Sequence, residues 1–294
     1  MKKKVLVTGG AGFIGSHIVD ALIEGGFDVA VVDNLSTGKL ENVNKKARFY
    51  KVDIKSKDLE RIFQKEQPNF VNHHAAHIDL RESVDNPIKD IETNVIGMIN
   101  LLECCRKYKV EKVVFASTGG ALYSENKIPA YETSQIKPKS PYGINKLFGE
   151  IYLDFYNKTY GLNYVCLRYA NVFGPRQNAE GEAGVVSIFT TKMLANIAPA
   201  IYGDGLQERD FVFVGDVVDA NISAIESVKG VNQAFNISSC TSTSVNTIYH
   251  FLKKTTGYAG GVLHSKPRKG EVRRMILNYD KAKNILGWSP KTNV

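Results

Sequence analysis

The sequence predicts an α/β protein: a doubly wound parallel sheet joined to a smaller α/β lobe. Three observations carry that expectation. Strand-length apolar runs alternate with helix-length segments through the first half of the 294-residue chain, the pattern of parallel strands linked by crossover helices. A glycine-rich turn, Thr8-Gly9-Gly10-Ala11-Gly12-Phe13-Ile14-Gly15, separates the first run from the first helical stretch. An acid, Asp33, closes the second run eighteen residues beyond Gly15. Together these describe a Rossmann-type fold.

The elements follow in order. Strands are expected at Val5-Leu6-Val7, Asp28 to Val32, Arg48 to Val52, Phe70 to His73, Lys112 to Ala116 and Asn163 to Leu167. Helical spacing is clear in Ile91, Val95, Met98, Leu101, Leu102 and Cys105, which recur at three and four residues. One later helix has both ends written in the sequence. Ser140 can cap it, Pro141 suits a first position that needs no N–H partner, and Gly161 ends it after Tyr160. Beyond Asn171 the alternation weakens. Gly, Pro and Asn punctuate Phe173 to Gly184, followed by a short helix, strands near Ile201 and Phe211–Val214, and further helices. The expected division is residues 1–170 for the dinucleotide-binding unit and 171–294 mainly for a substrate lobe, with 208–238 returning to the first unit.

Composition excludes several classes. With 43% apolar and 23% charged residues the chain is not disordered. The charge-free stretch Val231 to Leu252 is too rich in Ser, Thr and Asn to span a membrane, and the start lacks the apolar core of a signal peptide. The formal charge of +8 comes from scattered lysines rather than a basic stripe, so no nucleic acid is expected as a partner. Cys104, Cys105, Cys166 and Cys240 show no metal-ligand spacing. No metal is expected, and reduced thiols in a cytoplasmic enzyme are the natural reading.

The glycine turn has a defined chemistry. Glycines are needed where a turn is tight, where backbone approaches a pyrophosphate and where helix packs closely on strand. The helix start then offers free N–H groups and positive dipole to the phosphates. Asp33 can accept both adenosine ribose hydroxyls, and its charge repels a 2′-phosphate, so the expected cofactor is NAD rather than NADP.

Tyr142 and Lys146 share one face of the Ser140–Tyr160 helix. A phenol with a pKa of ~10 is a poor base near neutrality. A neighbouring ammonium, a nicotinamide cation and the helix start all favour its phenolate. A hydroxyl to work with them should come from the end of the preceding strand, where Ser117 and Thr118 both stand before Gly119-Gly120-Ala121-Leu122-Tyr123.

These segments, with Asp53-Ile54, His74-Ala75-Ala76-His77, Asn94, Arg168–Arg176, Ile201–Val217 and Arg268–Arg274, resemble the extended short-chain dehydrogenase/reductase family, and most closely its UDP-glucose 4-epimerases. The resemblance covers nearly the whole chain. It implies NAD contacts from Gly9, Gly12, Phe13, Ile14 and Gly15. The adenosine side would be met by Asp33, Asn34, Leu35, Ser36, Thr37 and Gly38, with Asp53 and Ile54 at the adenine. Cofactor-lining positions would be His74, Ala75, Ala76, His77, Asn94, Ser117, Tyr169 and Ala170, together with Tyr142 and Lys146.

The resemblance further implies Thr118, favoured over Ser117, with Tyr142 and Lys146 as the catalytic group. Thr118 and Tyr142 would also touch the sugar. Asn171 would lie near the sugar and diphosphate, Arg209 and Arg268 on the diphosphate, Glu271 at the uridine ribose, and Val185, Val186, Ala200, Ile201 and Tyr202 around the uracil. The implied reaction is reversible 4-epimerisation of a UDP-hexose through a transient 4-keto sugar, in a homodimer formed through a four-helix bundle. Met275 occupies a position beside the sugar where bulk varies in the family, which keeps 4-epimerisation of UDP-N-acetylglucosamine or UDP-glucuronate as the alternative. A 4,6-dehydratase would need an acid/base pair where Gly119-Gly120 stand. A non-catalytic cofactor-binding scaffold would have no use for both Tyr142 and Lys146.

Overall fold

The computed structural model describes residues 2–124, 128–179, 184–267 and 272–293. Its first half runs β1 (Lys4–Thr8), α1 (Phe13–Glu24), β2 (Asp28–Asp33), β3 (Arg48–Lys51), α2 (Asp58–Glu66), β4 (Phe70–His73), α3 (Leu80–Asp85), α4 (Pro87–Ile91), a π-helical segment (Glu92–Gly97), α5 (Met98–Lys107), β5 (Lys112–Thr118), α6 (Pro141–Tyr160) and β6 (Asn163–Tyr169). The second half adds β7 (Asn171–Phe173), α7 (Val185–Leu194), β8 (Ala200–Tyr202), β9 (Glu208–Phe213), α8 (Val214–Glu226), β10 (Gln233–Ile237), β11 (Ser242–Ser244), α9 (Val245–Thr256), β12 (Leu263–Ser265), β13 (Arg274–Met275) and α10 (Asp280–Leu286).

Seven strands form one sheet in the order β10-β6-β5-β4-β1-β2-β3, every neighbouring pair parallel. The chain winds one way through β1, β2 and β3, then the other way from β4, so the order reverses between β1 and β4. Ligands of such sheets gather at the carboxyl ends beside that reversal.

Both faces are covered, which is why the strands read as continuous apolar runs. Val5 and Val7 point to the side of α1 and α8 with Val31, Val114 and Leu167. Leu6 points to the side of α2, α5 and α6 with Val32, Val71, Phe115 and Cys166. A separate core gathers Phe189, Met193, Ile201, Phe211, Ile248 and Tyr249 in the second lobe.

Two expectations change in detail. The helical series begun at Ile91 is not one α-helix. Ile91 is exposed, Val95 is half-buried, and only Met98 onward lies in the core, because the π-helical turn at Glu92–Gly97 swings the earlier residues off that face. The return expected over 208–238 also starts one element later. β9 pairs with β7, β11 and β13 in a second sheet, while α8 and β10 lie with the first. The buried Lys112 at the start of β5 secures α8 there: its ammonium donates to the carbonyls of Ala224, Ile225 and Ser227 at 2.7–2.9 Å, closing orphan acceptors at the helix C-terminus. At the opposite end the Asp216 carboxylate accepts from the N–H groups of Lys291 and Thr292 at 3.0 Å. Among the described residues no helix is long and apolar enough to cross a membrane.

Candidate active site

The site is built where β1, β4 and β5 end. Gly9 has φ +72°, and a Cβ there would stand 2.6 Å from the Ala75 nitrogen; at Gly15 it would stand 2.2 Å from the Gly9 carbonyl oxygen. Only glycine lets the turn, the next loop and α1 come this close. Gly12 precedes α1 with no side-chain cap, an arrangement in which the first N–H groups of the helix, at Phe13 and Ile14, could meet a phosphate.

Asp33 is buried at the end of β2. Its carboxylate accepts from the N–H groups of Ala11 at 3.0 Å and Leu35 at 2.8 Å, which locks the acid to the glycine turn. The Asn34–Gly38 loop folds back over that turn, with the Lys39 N–H bonded to the Ala11 carbonyl at 3.0 Å and the Ser36 N–H to the Asn34 side chain; Thr37 lies within it. Asn34 donates to Asp53 at 3.0 Å, and Ile54 beside it is buried. The residues expected around an adenosine are therefore gathered at one end of the sheet.

The loop after β4 forms the neighbouring wall. Thr8 accepts from the N–H of Ala75 at 3.3 Å through its hydroxyl and from that of His74 at 3.0 Å through its carbonyl. His74 stacks on Tyr169 and meets its hydroxyl at 3.1 Å through Nε2, while Asn221 donates to the same hydroxyl at 2.8 Å. Burial drives His74 down to about 3, so its ring is neutral. Its Nδ1 is buried with no hydrogen-bond partner among the described residues. Past Ala76, His77 is held by Asn94 from the π-helical segment. Ala170, following Tyr169, bonds Ile237 of β10 at 2.9 Å. The glycine cradle, with a buried acid locked to it at the end of β2, fits a dinucleotide.

Tyr142 and Lys146 lie in the first turns of α6, which Ser140 caps through the Gly143 N–H at 3.2 Å. The Lys146 ammonium is 5.9 Å from the centre of the Tyr142 ring and donates to the Ala116 carbonyl of β5 at 2.8 Å. Desolvation pushes Lys146 down to about 8, opposed by the negative charge of Asp90. Thr118 stands two residues beyond Ala116 at the end of β5, half-buried.

Ser117 requires a correction. Its hydroxyl donates to Glu150 at 2.5 Å, and successive strand residues face opposite sides. Glu150 is one half of a buried ion pair with Arg168, joined at 2.9 and 2.6 Å, and Arg168 donates also to the Tyr123 hydroxyl at 2.7 Å. A buried carboxylate demands donors, and Ser117 is one of them. Its side chain is withdrawn from the cofactor wall, which leaves Thr118 as the hydroxyl at the strand end.

The second lobe presents Asn171 on β7 and Arg209 on β9. Asn171 donates to the Asp210 carbonyl at 3.1 Å, and Arg209 stands opposite Met275 in the β9–β13 register. Val185 and Val186 open α7, half-buried against the lobe's core, and Ala200–Tyr202 form β8. Tyr202 borders a cavity of about 540 Å³ with Gly203, Asp204, Gln207, Ser265, Pro267, Val272 and Arg273. Arg268 and Glu271 lie outside the described residues. Asp90, Asn145, Glu150 and Asn221 escaped sequence reasoning. The signal for Glu150 was present: four residues past Lys146 on α6, it shares that residue's inward stripe.

A glycine turn and acid at the reversal of a doubly wound sheet, with a tyrosine–lysine pair beside them, define a nucleotide-cofactor-dependent α/β enzyme. The model of the NAD dependent epimerase/dehydratase family matches residues 5–238, and the chain belongs to that family. NAD is its cofactor. It is 40% identical to a UDP-glucose 4-epimerase of Mycolicibacterium smegmatis, over 98% of this chain and 94% of the relative. Among solved structures it is similar to a UDP-glucose 4-epimerase of Thermotoga maritima with UDP-glucose, at TM-score 0.96 and 52% identity over 99% of this chain and 94% of the other. It is likewise similar to the Thermus thermophilus enzyme in complex with NAD, at TM-score 0.94 and 43% identity over 99% and 95%.

Proposed function

We propose that this chain is an isomerase that interconverts UDP-glucose and UDP-galactose. The observation that carries the reading is Lys146, a buried ammonium placed between the Ala116 carbonyl and the Tyr142 ring, with Thr118 at the end of the same strand. Tyr142 as phenolate takes the proton of the sugar 4-hydroxyl and later returns it. Lys146 stabilises the phenolate, since an adjacent cation lowers a phenol's pKa. Thr118 hydrogen-bonds the sugar oxygen as its proton leaves. NAD, held by the glycine turn, Asp33 and the His74–His77 wall, supplies the hydride acceptor and donor at carbon 4, so net redox is zero. Arg209 and Arg268 grip the diphosphate, because guanidinium forks match phosphate geometry. A firmly held nucleotide with a loosely held sugar lets the 4-keto sugar present its other face. Asn171, Val185, Val186, Ala200, Ile201, Tyr202 and Glu271 complete the nucleotide-sugar contacts, in a substrate lobe drawn mainly from 171–294 against a cofactor unit of 1–170.

Incubation with UDP-glucose without added reductant should yield UDP-galactose on chromatographic separation of the epimers. No conversion by protein that carries NAD would overturn the assignment. Met275 favours a second test: it is buried opposite Arg209, and a flexible thioether chain adapts to bulk, so UDP-N-acetylglucosamine and UDP-glucuronate belong in parallel incubations.

We also infer a homodimer. Ile144, Phe148, Ile151 and Phe155 of α6 form an exposed apolar stripe, continued by Ile88, Ile91 and Ile96 on the neighbouring helices. Exposed patches of this kind mark interfaces, and twofold pairing of two helices from each chain would bury them. Sedimentation should give a dimer, and Phe148→Glu a monomer. The free thiols of Cys104, Cys105, Cys166 and Cys240 suit a cytoplasmic setting.

A further inference from the structure

We propose that Asp90 is a positioning residue for the Tyr142–Lys146 pair, tying the catalytic helix to the cofactor wall and fixing a negative charge in the field of Lys146. The proposal rests on the epimerase reading of the same site.

Asp90 on α4 is fully buried, yet each of its carboxylate oxygens has a partner on a different element. One meets His77 Nδ1, on the loop that follows β4, at 3.0 Å. The other accepts from the Asn145 side chain on α6 at 2.6 Å. Asn145 directly precedes Lys146 and lies three residues after Tyr142, so the bond sets where the working turn of α6 sits. Ser83 of α3 adds a second tie by accepting from the Tyr142 N–H at 3.3 Å.

The charges around this carboxylate are arranged in layers. His77 stands between Asp90 and Glu82, whose contact is 2.9 Å, and Lys89 pairs with the other Glu82 oxygen. Burial lowers the His77 pKa, but its hydrogen bonds to the two carboxylates outweigh that effect, so the net shift is upward and His77 holds a proton more tightly beside Asp90 on the wall side. On the helix side Asp90 bonds Asn145, the residue next to Lys146, and its charge acts on that ammonium. The histidines of β4 and its following loop that lie within the field of Lys146, His73 and His74, are held neutral by burial. Asp90 therefore opposes the desolvation that would strip Lys146 of its proton, and an uncharged group in its place would leave that desolvation unopposed.

The test measures Lys146 directly. Protein labelled with 15N-lysine, with the resonance assigned by its loss in Lys146→Met, is titrated by NMR, and kcat for UDP-glucose is followed over the same pH range. Asp90→Asn should lower the Lys146 midpoint by about one pH unit and move the alkaline limb of kcat down with it. His77→Gln disturbs the same cluster but keeps the carboxylate, and Asp154→Asn removes an exposed carboxylate from the same helix; neither should lower the midpoint. An unchanged midpoint in folded Asp90→Asn, or an equal fall in His77→Gln, overturns the proposal. If Asp90→Asn does not fold, Asn145→Leu decides. It cuts the tie and keeps the charge, so kcat should fall about tenfold with KM within about twofold, and unaltered kcat overturns the proposal. The NMR arm needs no turnover. Failure of the wild type to convert any UDP-sugar would refute the epimerase reading alone.

Discussion

Asn94 and His77 exchange two hydrogen bonds: the His77 N–H donates to the Asn94 side-chain oxygen at 2.9 Å, and the Asn94 amide donates back to the His77 carbonyl at 2.8 Å. One side chain thus reproduces the pairing of a strand partner for a loop that has none. The π-helical turn makes this possible, because the extra residue rotates Asn94 inward to a buried position.

Asn94→Leu keeps the volume and loses both bonds, leaving a donor and an acceptor unpaired beside a buried surface. Stability should fall by about 2 kcal/mol in urea unfolding. The fraction of purified protein carrying NAD, read from its absorbance after release, should fall as well. Full retention of cofactor would separate this clamp from cofactor binding.

Tyr142→Phe removes the hydroxyl proposed as the proton acceptor while leaving the ring. The rate of UDP-glucose conversion should drop by roughly a thousandfold, with KM changed by less than about threefold. Activity within about tenfold of the wild type would exclude Tyr142 as the base.

The Glu150–Arg168 pair should behave as a buried unit. Arg168→Met strands a carboxylate and should cost about 3–5 kcal/mol, whereas Glu150→Leu combined with Arg168→Met should cost clearly less than the sum of the two single changes. Because Ser117 and Tyr123 belong to the network, the single variants should also slow turnover by displacing the Thr118 strand end. Additive losses of stability would show that the pair is not coupled.

His77 gives a pH signature. Its hydrogen bonds to Asp90 and Glu82 raise its pKa in the folded protein, so the folded state binds the proton more tightly than the unfolded chain does. That contribution is complete below the ordinary histidine value of about 6.5 and is lost as pH rises through the raised folded value. The melting temperature should decline over that window in the wild type and more shallowly in His77→Gln. Parallel curves would show that His77 is not the group responsible.

What could be read from the sequence was what local chemistry writes there. The helix from Pro141 to Tyr160 has the expected bounds because its signals are short-range: Ser140 reaches the Gly143 N–H, and Gly161 takes the left-handed conformation at φ +72° that ends a helix without strain. The six strands of the first half start within a residue of their expected positions, since most of them carry a run of buried apolar residues, although the edge strand β3 is only half-buried and β4 ends in the buried polar Asn72 and His73. The glycine turn with Asp33 was equally legible.

The rest depended on partners distant in sequence. Apolar spacing alone does not distinguish an α-turn from the π-turn at Glu92–Gly97, nor show that β9 joins β7 and β11 rather than the main sheet. Ser117 and Thr118 are adjacent hydroxyls of similar chemistry. Only Glu150, thirty-three residues on, reveals that Ser117 is already engaged. Asp90 carries no local signal in the sequence, and its role emerges only where the fold buries it between His77 and Asn145.

The outermost strand beside β6 is β10, which comes after the second sheet has begun. A nascent chain that has emerged only as far as residue 170 holds six of the seven strands, with the edge of β6 open to the wrong neighbour. Both lobes must leave the ribosome before either is finished. Cutting the protein after residue 170 would thus leave the first part without α8 and β10, and with the β6 edge of its sheet uncovered.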